Sequence, residues 1–169
     1  MSTTTLDDAP PFAGHSPDRE RPLIAYGVLE LAFAGFATGF GLWLRKSGRE
    51  FPEQISTRDL ALTSLATFKA SRIITRDRVT STIRAPFSRF QGDAGHGEVN
   101  EAARGRGMRR AIGELLVCPY CLDMWVASGF LGGLAAAPRE TRLLASVLAT
   151  VSAADALQLA YSKAEKAAS

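Results

Sequence analysis

Long apolar stretches alternate with polar connectors along this 169-residue chain. The first stretch, residues 23–44, carries one charge, Glu30, and is long enough as a helix to cross a hydrocarbon core of about 30 Å. Three later stretches also have the length and apolar content of helices, at residues 59–75, 119–137 and 142–161. The pattern therefore predicts an all-α fold, a polytopic membrane helical bundle.

The segments outside these stretches are polar. Residues 1–22 are rich in Ser, Thr, Asp and Pro without an apolar period, which predicts a disordered tail. Residues 76–111 contain eight of the 20 Lys and Arg and have a Gly-rich centre, which we interpret as a basic connector with a mobile loop. Residues 162–169 are expected to form a short polar tail.

The second stretch leaves the number of spans open. It carries Lys69 and Arg72 on one helical face, so it is either a short span or an amphipathic helix in the membrane interface. The positive-inside tendency places residues 76–111 in the cytoplasm. Four spans would leave six basic residues on the outer side and three spans would leave four, so charge alone slightly favours three.

The basic connector has two classes of candidate partner. Arginines beside apolar spans are typical of contacts with anionic lipid headgroups. Nucleic acid is not expected, because no aromatic-interleaved sheet or basic recognition helix accompanies the arginines.

The two cysteines of the chain, Cys118 and Cys121, form the tetrad CPYC, which also occurs in glutaredoxins. A glutaredoxin fold needs further strands downstream, whereas only 48 residues follow Cys121 and nearly all are helical and apolar. Pro119 should kink or start a helix, which places Cys118 at its N-cap. We therefore expect no glutaredoxin fold here.

Three interpretations of the two thiols stay open. They are catalytic if the protein is a membrane thiol–disulfide redox protein, because a helix N-terminus stabilises a thiolate. They are half of a zinc or iron–sulfur site if an oligomer supplies the missing ligands. Otherwise Cys118 and Cys121 are small side chains packed beside a proline.

Charged residues in or beside the apolar stretches suggest a second candidate site. An unpaired carboxylate is costly there, and we predict that Lys69 and Arg72 pair with Glu114, with Asp155 as a further candidate partner. The alternative is that the two cations extend to the headgroups while Glu114 is hydrated.

The chain contains an ordered series of short motifs, formed by Lys69, Arg72, Asp77, Arg78, Val79, Thr80, Pro86, Phe87, Gly105, Arg106, Gly107, Gly113, Glu114, Leu115, Leu116, Cys118, Cys121 and Trp125. This series resembles the bacterial membrane-protein family called domain of unknown function 1360. The resemblance covers residues 59–161, and family members often begin near the helix of Lys69. This implies that residues 59–75 span the membrane and that residues 23–44 are an additional N-terminal transmembrane helix, which favours four spans.

The family resemblance implies no activity, so the functional expectation stays general. We expect a multi-pass protein of the bacterial cytoplasmic (inner) membrane with both termini in the cytoplasm. Its expected role is structural or partner-binding rather than enzymatic, without a cofactor of its own. The expected partners are anionic headgroups and either another membrane protein or a second copy of the chain.

Overall fold

The computed structural model describes residues 11–12, 15, 21–49 and 52–168, so most of the predicted tail, residues 1–22, lies outside the described residues. The described chain is mostly helical and contains one two-stranded sheet. A 3₁₀ turn, Arg78–Thr80, precedes the third helix. The elements are α1 (Leu23–Lys46), α2 (Thr57–Arg76), α3 (Ser81–Arg84), β1 (Ser88–Gly95), β2 (Glu98–Ala103), α4 (Gly107–Val117), α5 (Pro119–Ala136) and α6 (Pro138–Ala168).

The four long helices coincide with the four predicted stretches. Pro119 starts α5, as its missing backbone N–H allows. The last helix is longer than predicted, because α6 continues to Ala168 through the residues expected to be a polar tail.

The prediction of four spans is not confirmed. Within the described residues, α1 and α6 are long and apolar enough to cross a membrane, and α4 with α5 would add a third if that broken pair counts as one span. The helix α2 is not among the described helices that are long and apolar enough. Its polar residues recur on one face at every fourth position, namely Asp59, Thr63, Thr67, Ser71 and Thr75.

The chain is mostly helical, as predicted, but the central connector, expected to be a loop, contains a two-stranded sheet. Strands β1 and β2 form an antiparallel hairpin, with Gly95 paired to Glu98. The two residues between them, His96 and Gly97, have φ of 51° and 81°. Positive φ at both central positions is typical of a type I′ turn, whose twist suits a tight hairpin. The glycines of this segment therefore serve the turn of a hairpin.

The chain divides into two compact units. The hairpin unit comprises the described residues up to Thr38 together with Thr75–Cys118, and the helical unit comprises Gly39–Ile74 and the described residues from Pro119 onward.

In the hairpin unit, α4 packs against strand β2. The contact requires a glycine, because a Cβ at Gly113 would clash with the backbone oxygen of Phe87 and lie 3.0 Å from the Cβ of Ala103. Val99 of β2 and Ala111 of α4 are buried.

In the helical unit, small residues allow α2, α5 and α6 to approach closely. Its core consists of Ala66, Phe130 and Ala145. The hydroxyl of Ser152 on α6 donates to the carbonyl oxygen of Leu65 on α2 at 3.1 Å. Small side chains and hydroxyl-to-backbone hydrogen bonds of this kind are typical of helix packing in membranes.

Candidate functional site

A buried ion pair organises the hairpin unit. The Arg84 guanidinium donates through Nε and Nη2 to the two carboxylate oxygens of Glu101, each at 3.0 Å. The side chains are 0% and 4% exposed. Such a two-pronged contact is among the stronger charge-assisted hydrogen bonds, and it ties α3 to strand β2.

Neighbouring polar groups complete this network. Arg84 also donates to Thr80 Oγ1 at 2.7 Å and to the backbone oxygen of Asp77 at 2.9 Å. Ser81 and Ser88 donate their hydroxyls to the Glu101 carboxylate at 2.6 and 2.5 Å. The buried charges therefore have the hydrogen-bond partners that burial requires.

The pKa of Glu101 reflects this environment. Burial, the largest single effect, would raise it, but the hydrogen bonds from Arg84, Ser81 and Ser88 and the positive charge of Arg84 together hold the pKa below its ordinary value of 4.5. Glu101 therefore carries its negative charge at neutral pH.

Several residues of the family-like motifs hold the backbone of the hairpin unit. The carbonyl oxygen of Pro86 accepts from Arg109 Nε at 2.8 Å, and that of Phe87 accepts from the Arg104 backbone N–H at 2.9 Å. Gly105 has a φ of +86°, and a Cβ there would lie 2.9 Å from Cδ of Arg109. These motif positions have a structural explanation that does not need a bound substrate.

Glu114, predicted to pair with Lys69 and Arg72, has other partners in the hairpin unit. Its carboxylate accepts from Arg110 Nε at 3.0 Å, one helical turn earlier, and from the hydroxyl of Tyr26. The structure thus gives this glutamate a role in joining α1 to α4.

Two members of the predicted charge network meet in the helical unit. Lys69 Nζ lies 2.8 Å from Asp155 Oδ2, which links α2 to α6. Arg72 lies over the ring of Phe68, with its Cζ 5.7 Å from the ring centroid. A cation over an aromatic face is an attractive arrangement.

A second link between α2 and α6 was not predicted from the sequence. Arg142 donates through Nε and Nη2 to the two oxygens of Asp59, both at 2.9 Å. Both residues were noted only as ends of predicted helices. Their pairing depends on how α2 and α6 lie side by side, which no local pattern encodes.

The cysteines differ in exposure. Cys118, with extended backbone between α4 and α5, is partly buried, and Cys121 in the first turn of α5 is exposed. Among the residues that the structure describes, no group of three or more metal-ligating side chains comes together. The redox and subunit-bridging metal interpretations stay predictions.

Comparison with known proteins identifies the family. The model of the family described as protein of unknown function (DUF1360) matches residues 62–161. The chain is also 31% identical over 107 residues to the sporulation protein YjcA of Bacillus subtilis strain 168, an alignment that covers 62% of this chain and 91% of the relative. No solved structure matches the chain. The motifs and both matches agree, and this chain belongs to the DUF1360 family of proteins of unknown function.

Proposed function

We propose that this protein is a partner-binding component of the bacterial inner membrane that presents residues 76–110 of its hairpin unit at the cytoplasmic membrane surface. The observation that carries the proposal is the buried pair between Arg84 and Glu101, which makes the hairpin unit a preformed body. In this role the unit is folded before it binds, so the free energy of binding does not include the entropic cost of ordering it.

The surface of the hairpin unit supports a membrane-surface position. Arg89, Arg106 and Arg109 are exposed, and arginines close to anionic headgroups contribute about 1 kcal/mol each. Val79 and Ile83, one helical turn apart, are exposed apolar side chains that suit the boundary between headgroups and acyl chains.

The apolar helices support membrane insertion. Most side chains of α1 are exposed despite its apolar sequence, and α6 is similarly open. Exposed apolar surfaces are unfavourable in water, whereas apolar side chains are the usual ones in contact with lipid. In the proposal α1, α2, α5 and α6 all span, the short α5–α6 connection faces outward and both termini are cytoplasmic.

The relative supports a cellular context. YjcA is named a sporulation protein, and we extend that process to this chain as part of the same proposal. The bound partner is then another membrane protein or a second copy of the chain.

Hydrogen exchange on the full-length protein tests the surface role. In nanodiscs that contain phosphatidylglycerol, amides of residues 76–110 should exchange more slowly than in pure phosphatidylcholine, because the exposed arginines contact the anionic headgroups. The double substitution Arg89→Gln with Arg106→Gln should remove most of that difference.

The matched control is Arg139→Gln, an exposed arginine at the start of α6 in the helical unit. This change should preserve the lipid-dependent protection of residues 76–110. Equal exchange in the two lipids for the wild-type protein would contradict the proposed surface position.

A further inference from the structure

A cleft of about 440 Å³ lies between α2 and α5 in the helical unit. Its size falls within the range of roughly 300–1,000 Å³ that small-molecule sites occupy. One part of its lining is polar, with Thr63, Thr67 and Asp123. The rest is largely apolar, with Phe68, Met124 and Leu131.

Asp123 is the unusual group in this lining. Its Oδ1 is buried, and among the residues that the structure describes no donor reaches it. Two other acids of the same unit, Asp59 and Asp155, each have a basic partner at 2.8–2.9 Å. A buried carboxylate oxygen without a donor is costly, so this position favours an occupant that brings one.

A hydroxyl of the same lining also offers an acceptor. Thr63 donates its own proton to the backbone oxygen of Asp59 at 2.7 Å, so its remaining lone pairs accept. The cleft therefore combines a carboxylate and a hydroxyl acceptor with the apolar side chains of Phe68, Met124 and Leu131, and Arg72 already lies over the Phe68 ring. These apolar side chains suit the hydrocarbon part of a ligand.

We propose that this cleft binds an amphipathic primary amine, with its ammonium group on Asp123 and its apolar body along Phe68 and Leu131. The ammonium supplies both the positive charge and the N–H donors that the carboxylate lacks. The same chemistry occurs in two sources, the headgroup of phosphatidylethanolamine and a soluble aliphatic amine. The inference concerns the helical unit alone and does not depend on the surface role of the hairpin unit.

Titration of the full-length protein with octylamine, in phosphatidylcholine nanodiscs, tests the site. Binding is followed by isothermal titration calorimetry with protein-free nanodiscs as the reference, because tryptophan fluorescence would report Trp43, Trp125 and any tryptophan that a variant adds. Octylamine should bind saturably, and the isosteric change Asp123→Asn should weaken it about tenfold or more, because a charge-assisted hydrogen bond is lost. Octanol, which has the same chain without the charge, should not compete.

Two further variants keep the test decisive if Asp123→Asn folds poorly. Leu131→Trp fills the cleft while the carboxylate is retained, and it should also weaken octylamine binding. Its matched control is Leu143→Trp, at an exposed position on α6 outside the cleft, which should bind like the wild-type protein.

Adding phosphatidylethanolamine to the nanodiscs distinguishes the two sources. If it competes with octylamine and phosphatidylglycerol does not, the lipid headgroup is the occupant. If octylamine binding depends on Asp123 and phosphatidylethanolamine does not compete, the occupant is a soluble amine. Octylamine binding that is equal in wild-type, Asp123→Asn and Leu131→Trp proteins would overturn the proposal.

Discussion

The contrast between two ion pairs of the hairpin unit shows how burial changes the role of an arginine. Arg84 and Glu101 are enclosed and fully hydrogen-bonded. Arg78 and Asp93 are also 3.0 Å apart, but their side chains are 61% and 66% exposed. Water and salt screen the exposed pair, whereas removal of one partner of the buried pair leaves a charge without compensation.

The substitution Arg84→Leu is therefore expected to destabilise the hairpin unit by about 3–5 kcal/mol, because it strands the Glu101 carboxylate. Hydrogen exchange of the amides in β1 and β2 of the full-length protein measures this local loss of stability. Arg78→Gln is the control in the same hairpin and should change the exchange little. Similar exchange rates for the two variants would show that the buried network does not hold the hairpin.

The connection between α5 and α6 shows that the role of a glycine depends on what packs around it. A Cβ at Gly133 would lie 2.6 Å from Oγ1 of Thr141, whose hydroxyl donates to the backbone oxygen of Ala137 at 2.8 Å. One turn earlier, a Cβ at Gly129 would meet nothing within 4 Å. The two glycines of α5 thus differ in packing although both are helical.

Gly133→Ala is expected to lower the thermal unfolding midpoint of the purified protein, by the equivalent of roughly 1–3 kcal/mol of overpacking. Gly129→Ala should leave the midpoint unchanged or raise it slightly, because alanine favours the helix and has room. A lower midpoint for Gly129→Ala than for Gly133→Ala would contradict the tight α5–α6 connection.

The sequence was sufficient to predict the long helices but not the hairpin. Apolar runs of about 20 residues leave few alternatives to helix, so the positions of α1, α2, α5 and α6 followed directly. Strands β1 and β2 have no apolar alternation, since Val99 is their one buried large apolar residue among the described positions. The turn at His96 and Gly97 was the one local signal of the hairpin, and we interpreted it as mobility.

The candidate sites show a similar limit. The cost of placing charge in an apolar stretch led us to name Lys69 and Asp155 as residues in need of partners, and the structure places them 2.8 Å apart. The same argument could not identify the partners of Glu114. In the structure these are Tyr26 and Arg110, and residue type alone does not distinguish them from other hydrogen-bond donors such as Lys69 and Arg72. Pairings between distant helices depend on packing geometry, which periodicity does not contain.

The membrane topology of the chain is defined by which connections between helices lie on which side of the membrane. The clustered arginines favour a cytoplasmic position for residues 76–110. The family resemblance favours an α2 that spans the membrane. The connector between α1 and α2 distinguishes three spans from four, since it faces outward only if α2 spans.

Single-cysteine labelling in a Cys118→Ser and Cys121→Ser background tests this topology with exposed positions. A membrane-impermeant maleimide should label the Glu140→Cys variant in intact spheroplasts, and the Asn100→Cys variant only after the membrane is disrupted. The Glu53→Cys variant should behave like Glu140→Cys if four helices span, and like Asn100→Cys if α2 lies in the interface. Labelling of Asn100→Cys in intact spheroplasts would contradict the proposed orientation.

The glycine at position 113 has a consequence for how this family diverges. Because Gly113 is needed for α4 to pack on the hairpin, the G-E-L-L string that begins at Gly113 is explained by packing and not by a ligand. Two relatives could keep every motif letter while the residues around Asp123 change. Family membership then concerns the packing of α4 on the hairpin, whereas the proposed amine site depends on Asp123 and the other residues that line the α2–α5 cleft.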